Sequence, residues 1–396
     1  MMKNSISKIY FLCIFLFLLS KVVYSDENEN PETSKNLTNN VQLKGSLEDH
    51  IPTINVGLDS YYTKSSIRFR EQKRPYVTQA IQMDEFSINH ALINISKESQ
   101  SYHYAIGIHA GTYVQANYAL EPDQYKPIYQ AWIGYALLKN LWLDVGIFPS
   151  HIGGESPISF QNFNYTRSLV AENSPYYETG GRIVWNPLND LKLSFYILNG
   201  WQRLKETNVD KAIGTELQYK VSKNWLITYS TFIGNEAPNQ EQRQTRYFNN
   251  IYLKGKFYDW WEVYLIYDIG FQRKPLVSWV NNLSTLESYK RNISRESYSR
   301  WEGFAIQFYF HLNEIWKLGL RAEGFYDPNE IVMKTYTANG YSLESASINI
   351  DFIPVETMKF RIEGKYNSSW DKIYNDKSNN SFDRENLVIL NFSYYI

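Results

Sequence analysis

Apolar and polar residues alternate with period two through most of the chain after Pro52. In "WEVYLIYDIGF" (261–271), apolar and aromatic side chains at every second position oppose Glu262, Asp268 and Gly270. The same alternation recurs along the chain and reaches its end in "LVILNFSYYI" (387–396), while no convincing helical stripe is found. Period-two alternation is typical of strands with two different faces. The pattern predicts an all-β protein of about sixteen strands.

The connections between these segments alternate in length. Short turn-like stretches such as "SKESQ", "NPLND" and "IPVET" take turns with long polar segments. The long segments are 63–84, 113–126, 149–176, 200–211, 235–245, 272–300, 328–340 and 368–385. Prolines such as Pro149, Pro187 and Pro354 fall in predicted loops or turns, where no ladder donor is needed. Short turns at one end and long loops at the other predict a transmembrane antiparallel up-and-down β-barrel.

A large secreted β-sandwich also alternates its faces, so the alternation alone leaves that alternative open. Two sequence features favour the membrane barrel. Aromatic residues, for example Trp185, Trp261 and Trp316, stand at the ends of apolar rows, as they do at membrane interfaces. The last predicted strand also runs to the terminal residue, Ile396. A closed sheet would pair every backbone group, which a bilayer requires.

The amino terminus predicts export. A basic start, the apolar run "IYFLCIFLFLL" and "VVYS" resemble a secretory signal, which we assign to residues 1–25. Residues 26–50 are polar and aperiodic, which predicts a flexible periplasmic leader. Residues 51–396 form the predicted barrel. The single cysteine, Cys13, lies in the signal, so the mature chain has no disulfide and no cysteine nucleophile.

The overall composition agrees with a barrel. Aromatic residues make up 16% of the chain, and the mean hydropathy of -0.44 is too polar for a bundle of membrane helices. The net charge of -1 gives no electrostatic reason to expect nucleic acid as a partner.

Six stretches in a fixed order resemble the outer-membrane β-barrel porins described as OmpL-like. They are "GLDSYY" (57–62), "FSINHAL" (86–92), "LDVGIFPSHIGGE" (143–155), "YTRSLVAENSPYYETGG" (165–181), "LNGW" (198–201) and "RAEGFYDP" (321–328). The resemblance covers most of the chain from about residue 53 to 396. It departs from the family at the polar His151 and at the terminal Ile396, where barrels commonly end in an aromatic residue. The resemblance implies an outer-membrane barrel with passive solute passage, and it supplies no catalytic residues.

A sixteen-stranded barrel encloses a lumen too wide for wall side chains to fill, so an aqueous channel is expected unless loops plug it. The inward row then lines the channel. The predicted lining residues are Arg182, Lys254, Glu262, Asp268, Arg321, Glu323, Asp351, Arg361 and Glu363. Acids and bases nearly balance, which predicts weak ion selectivity. Individually, such residues are also explained as solvated wall residues that pair with their neighbours.

The motif Arg-x-Glu-Gly occurs twice, at 321–324 and 361–364. We interpret both copies as strands that run in the same direction with one strand between them. The arginines and glutamates then face the lumen, and Gly324 and Gly364 face outward, where a missing side chain eases bending or leaves room for a ring. This arrangement predicts polar channel wall and not a duplicated active site.

The segment 149–176 is the candidate constriction loop. It is rich in Gly, Asn and aromatic residues and carries His151, Glu155, Arg167 and Glu172. An ordinary external loop explains it equally well. The external segments 63–84 and 272–300 are basic, which suits lipopolysaccharide phosphates or anionic solutes as partners, and simple solubility is the alternative.

Other chemistry finds little support. His103 and His109 are six residues apart on a strand, about 20 Å, which is too far to share a metal. We therefore predict no catalytic residues, no metal and no cofactor. The predicted function is an outer-membrane porin for passive, weakly selective diffusion of small hydrophilic solutes, in contact with outer-membrane lipid. A surface adhesin or ligand-binding barrel that uses the long loops is the alternative, and association into a homo-oligomer stays open.

Overall fold

The fold is described from a computed structural model, which describes residues 51–273 and 298–396. The predicted signal, the predicted leader and most of the basic segment 272–300 lie outside the described residues.

The described chain is built almost entirely from β-strands. The strands are β1 Thr53–Ser65, β2 Phe86–Glu98, β3 Tyr102–Ala110, β4 Ile128–Leu138, β5 Leu141–Pro149, β6 Tyr177–Leu188, β7 Leu191–Leu198, β8 Ala212–Ser222, β9 Trp225–Asn235, β10 Thr245–Phe257, β11 Trp261–Arg273, β12 Tyr298–His311, β13 Trp316–Asp327, β14 Tyr341–Val355, β15 Met358–Ser369, β16 Tyr374–Asn375, β17 Ser381–Phe382 and β18 Arg384–Tyr395. Two-residue strands β16 and β17 form a small separate hairpin.

The other sixteen strands close into one antiparallel barrel. Each pairs with its neighbours in the chain, and β18 pairs with both β15 and β1. At the seam, the backbone N–H groups of Val56 and Ile396 donate to each other's carbonyl oxygens at 2.9 and 3.0 Å. The predicted fold class and strand number are confirmed. Strands β13, β14 and β15 are adjacent, so the two Arg-x-Glu-Gly strands are parallel with one strand between them, as predicted.

The two ends of the barrel differ, and we call them the turn end and the loop end. Seven short connections, each joining an even-numbered strand to the next odd-numbered strand from β2 to β15, lie at the turn end. The long connections lie at the loop end, and three of them matter below: loop 1 (66–85), loop 2 (111–127) and loop 3 (150–176). Loop 1 begins later than the predicted segment 63–84 because β1 continues to Ser65.

Two sequence-based expectations need correction. Short helices α1 Thr112–Asn117 and α2 Leu169–Glu172 lie in loops, and at six and four residues they are too short to produce a helical stripe. Pro149 is the last residue of β5 and pairs with Tyr177. Pro187 and Pro354 lie inside the ends of β6 and β14 and not in turns. Both fall where the pairing register shifts, so the missing N–H does not interrupt a regular ladder.

The outer face of the barrel carries the apolar row. Outward side chains such as Ile106, Ile133 and Ile362 remain exposed. A Cβ at outward Gly324 would lie 2.8 Å from the Phe304 ring, so this glycine does leave room for a ring, whereas a Cβ at Gly364 would meet only Ile348 at 3.8 Å. Within the described residues, no helix is both long and apolar enough to cross a bilayer.

The interior changes character along the barrel axis. Towards the loop end, inward aromatic side chains of the strands, such as Phe232, Phe248 and Trp301, are buried in a single apolar cluster. Loops contribute the remaining members, including Phe69 from loop 1 and Leu169 from loop 3. The sequence led us to expect polar inward rows throughout. The exception arises because the long loops fold back and pack against the inward face near their own strand ends.

Candidate functional site

The nine predicted lining residues all lie on inward rows, and they fall into two groups by exposure. Arg321, Glu323, Asp351, Arg361 and Glu363 on β13 to β15, together with Asp268 on β11, are buried. Arg182, Lys254 and Glu262 are only partly buried. The buried group contacts loop 3, whereas Arg182 and Glu262 pair with other residues of the wall and Lys254 lies beside the Phe163 ring of loop 3.

The two glutamates of the repeated motif hold the backbone of loop 3. Glu363 accepts hydrogen bonds from the Thr166 backbone N–H at 2.7 Å and from its hydroxyl at 2.6 Å. Glu323 accepts one from the Leu169 backbone N–H at 2.6 Å, at the start of α2. Carboxylates that accept backbone N–H bonds make strong charge-assisted hydrogen bonds. The acids of the motif therefore fix the entry into the helical turn of loop 3.

The two arginines of the motif bind carbonyl oxygens of the same loop. Arg361 is paired with Asp351 through two bonds of 2.7 Å, and its remaining donors reach the carbonyls of Ser159 and Asn162. Arg321 donates to the Thr166 carbonyl. A planar guanidinium can serve a carboxylate and carbonyls at once because its donors are fixed in a fork. In both copies, the motif links the barrel wall to the main chain of loop 3.

Neighbouring polar side chains extend this docking surface. Lys359 donates to the Phe160 carbonyl at 2.7 Å, and Asn349 donates to the Phe163 carbonyl at 3.1 Å. On the opposite side of the loop, the Ser230 hydroxyl donates to the His151 carbonyl at 2.7 Å. Loop 3 is therefore held across the lumen between the β9 side and the β13 to β15 side, largely through its backbone.

Two inward glycines make room for loop 3. A Cβ at Gly319 would lie 2.7 Å from the Phe163 carbonyl oxygen. One at Gly214 would lie 2.7 Å from the His151 imidazole. Real Cβ atoms do not approach so closely, so the wall is shaped to the loop at these positions. These glycines are the sequence signal for loop docking, and the alternation analysis did not use them.

The four candidate residues of loop 3 make hydrogen bonds or ring contacts inside the barrel. His151 lies 2.9 Å from Glu178 through Nδ1 and donates from Nε2 to the Thr231 carbonyl at 2.9 Å. Glu155 accepts from the Gln307 side chain at 2.7 Å and from the Ser168 backbone N–H at 3.0 Å. His151 and Glu155 thus each have two hydrogen-bonding partners, and neither presents a free charge.

The other two candidates connect loop 3 with its neighbours. The Arg167 guanidinium lies over the rings of Tyr113 and Tyr176, with centroid distances of 4.2 and 4.6 Å, and donates to the Pro157 carbonyl at 2.7 Å. Glu172 accepts from the backbone and the hydroxyl of Thr78 in loop 1. Loops 1, 2 and 3 are therefore joined inside the barrel.

Burial changes the titration of one loop group. Burial, the largest single effect, lowers the pKa of His151, but the charge and hydrogen bond of Glu178, the hydrogen bond to the Thr231 carbonyl and the charge of Glu216 together raise that pKa above its ordinary value of 6.5. Both ring nitrogens face acceptors, which suits the imidazolium form.

Two of the three partly buried residues, Arg182 and Glu262, pair with other residues of the wall. Arg182 donates to Asp144 at 2.8 Å, and Glu262 lies 2.8 Å from His311. Lys254 lies 5.5 Å from the centre of the Phe163 ring. His311 thus does have a carboxylate partner, which its sequence position did not reveal. Among the described residues, no group of histidines, cysteines and acids is arranged to hold a metal ion.

Sequence reasoning missed other parts of the site. Asp59 on β1 also holds loop 3: it accepts from Ser159 at 2.6 Å and from Asn89 at 2.7 Å. Arg74 in loop 1 is buried and pairs with Glu385 at 3.0 Å, so it is not an exposed basic group. The partners of these contacts are far apart in the chain, and no local pattern connects them.

The comparison with known families decides the identity. Residues 53–394 match the model of the family described as "Putative beta-barrel porin-2, OmpL-like". The chain belongs to this porin family. It is an outer-membrane porin, in agreement with the closed barrel and the inward polar rows. No curated protein matches the porin.

Solved structures with the same fold include outer-membrane channels of very different sequence. The porin is similar to the outer membrane channel DcaP of Acinetobacter baumannii, with 10% identity and a TM-score of 0.55 over 87% of this chain and 97% of that one. It is also similar to an anion-selective porin from Comamonas acidovorans, with 5% identity and a TM-score of 0.54 over 87% and 99% of the chains. At such low identity, the similarity shows a shared fold.

Proposed function

We propose that this porin lets small hydrophilic solutes diffuse passively, with weak charge selectivity, and that the segment 149–176 is its constriction loop. This proposal rests on the difference in exposure between the charged side chains that face the barrel interior. The charges of β13 to β15 are bound to loop 3, whereas Arg182, Glu262 and Lys254 are partly exposed, and Arg182 and Glu262 pair with other residues of the wall. The solute path therefore lies beside the walls that loop 3 leaves free.

The exposed charges along this path nearly balance. Arg182 and Lys254 are basic, Glu262 is acidic, and Asp144 neutralises Arg182 directly. A lumen with paired charges of both signs favours neither cations nor anions strongly. In this proposal, the four loop residues His151, Glu155, Arg167 and Glu172 set the shape of the constriction and not its net charge.

The surroundings of the barrel follow from the same proposal. The exposed apolar rows contact outer-membrane lipid. On loop 1, Arg68, Arg70 and Lys73 are exposed and suit lipopolysaccharide phosphates, whereas buried Arg74 does not. Assembly into a homo-oligomer remains a prediction. Family and fold indicate a channel in place of an enzyme.

Planar-bilayer recording of the purified, folded protein tests the channel. We expect stepwise conductance in KCl with a reversal potential near zero in a salt gradient, because the path is weakly selective. Deleting residues 156–165, the central part of loop 3, is expected to enlarge the single-channel steps. Heat-modifiable migration on gels verifies that the variant is folded.

Two results would contradict the proposal. Folded barrels without any stepwise conductance would remove the channel function and favour a surface adhesin. Unchanged step size after the deletion, with the barrel folded, would show that loop 3 does not set the constriction.

A further inference from the structure

A cavity of about 280 Å³ lies inside the barrel at the turn end, on the side of β3, β5, β6 and β7. Its walls include His103, Trp142, Asp144, Arg182 and Lys192. The cavity adjoins the turns after Glu98 and before Lys192, so it faces the periplasmic side of the proposed pore. Its volume is sufficient for a small organic molecule.

The acceptors of this cavity are occupied. Asp144 is almost fully buried, and its two oxygens lie 2.6 Å from His103 Nε2 and 2.8 Å from Arg182 Nε. Glu216, just behind the wall, lies 3.0 Å from the Lys192 ammonium and also accepts from the hydroxyl of Tyr196 at 3.1 Å. Neither carboxylate is therefore well placed to receive a cationic solute.

The donors, in contrast, are only partly used. Arg182 uses Nε for Asp144, and no described residue accepts from its two terminal nitrogens. Its side chain is 17% exposed, and that of Lys192 is 33% exposed. A guanidinium edge with two free nitrogens binds a carboxylate through two parallel hydrogen bonds. The cavity thus offers a donor fork and an ammonium group to one solute.

The charges and the apolar surface of the cavity limit the class of solute that it can bind. Asp144 and Glu216 already neutralise Arg182 and Lys192, and exposed Glu98 lies at the rim, so the cavity has no surplus positive charge to balance a second carboxylate. One carboxylate can still bind through local hydrogen bonds from the free edge of Arg182. Trp142 and Val184 add apolar surface to the wall. His103 stacks on one side of the Trp142 indole at 4.2 Å and holds that ring in place.

We propose that this cavity is a binding subsite for a small organic monocarboxylate, whose carboxylate binds the free edge of Arg182 and whose apolar body lies against Trp142 and Val184. The inference rests on the proposed function, because the subsite would lie on the solute path. With this subsite, the porin discriminates weakly between cations and anions and still binds one class of solute.

Fluorine NMR on the full-length protein in detergent tests binding without requiring conductance. The probe is 4-fluorobenzoate, with 4-fluorobenzyl alcohol as the neutral match. We expect saturable broadening of the benzoate signal and none for the alcohol. Arg182→Lys keeps the charge but loses the fork, so it should weaken benzoate binding at least about tenfold.

Matched controls separate the subsite from general attraction. Lys317→Gln removes a cation from the inward row of β13 on the far side of the barrel and should leave benzoate binding unchanged. Lys192→Gln, at a more exposed position, should weaken binding about threefold to tenfold even if Arg182→Lys disturbs folding. Equal binding of the alcohol, or equal weakening by Lys317→Gln, would overturn the proposal. Inorganic phosphate that displaces benzoate at equal concentration would overturn the choice of a monocarboxylate.

Bilayer recording separates the two proposals. With the subsite present, 4-fluorobenzoate should reduce the chloride conductance of the wild type in a saturable way and act more weakly on Arg182→Lys. If 4-fluorobenzoate never reduces the conductance, the subsite proposal is wrong and the channel function stands. Benzoate binding by NMR in a protein that never conducts would remove the channel function while the binding cavity stands.

Discussion

At the scale of single residues, the buried charged side chains of the barrel wall hold loop 3 in place. Arg361 and Glu363 are fully buried, and each contacts the backbone of loop 3. Their alternation with apolar neighbours assigns them to the inward row. Their partners could not be predicted, because Arg361 and Ser159 are 202 positions apart and no local pattern links them.

The His151–Glu178 pair predicts a pH-dependent stability. The pKa of His151 in the folded protein lies above its ordinary value of 6.5, so the pair stabilises the fold fully below about pH 6.5. This contribution is lost as the pH rises through the raised pKa of the folded state. We expect urea unfolding in lipid vesicles to show declining stability as the pH rises above about 6.5. His151→Gln should reduce the slope, and a slope equal to that of the wild type would contradict this role.

At the scale of elements, strands and loops differ in how far their sequences determine them. The strands follow from period-two alternation, and the structure contains them with ends shifted by a few residues. Loop 3 has no such period, and its path depends on partners from strands far apart in the chain, including β1, β6, β9 and β13 to β15. The inward glycines Gly214 and Gly319 were the available clue, since a glycine facing the lumen leaves space beside the wall.

Gly319 tests the docking of loop 3. Gly319→Ala would bring a methyl group against the side-chain oxygen of Asn349 and to 2.7 Å from the Phe163 carbonyl oxygen, so both the loop and the Asn349 side chain that holds it must shift. We expect a loss of about 1–3 kcal/mol in the free energy of unfolding, together with larger or noisier conductance steps. Gly364→Ala is the matched control, because its methyl group would lie 3.8 Å from Ile348. Equal effects of the two substitutions would show that only strand propensity, and not loop contact, is involved.

At the scale of the whole molecule, closure joins the two ends of the barrel sequence. Strand β18 pairs with β1 from Leu387 to Tyr395, and Ile396 continues the ladder through Val56. The sequence indicated this by carrying its alternation to the last residue. Closure itself depends on strand number and tilt, which alternation does not specify.

Removing residues 394–396 tests this seam. The truncation deletes the pairing of Tyr394 and Tyr395 with Leu58 and Gly57 and the two bonds between Ile396 and Val56. Exposed ladder groups in a bilayer are costly, so we expect a lower yield of heat-modifiable barrel and a lower urea midpoint. Ile396→Phe keeps the backbone and serves as the control. A truncated protein that folds as well as the control would show that the last residues are dispensable for closure.

The way the wall binds loop 3 has a consequence for how such a pore can change. Arg361, Lys359 and Glu363 recognise carbonyl and amide groups of the loop, which every residue except proline provides in full. Many side chains of the loop can therefore be exchanged without detaching it. The position of loop 3 is therefore independent of most of its side chains, which are the groups that face the solute. Point substitutions in the loop can change solute preference while the backbone hydrogen bonds that hold the loop stay the same.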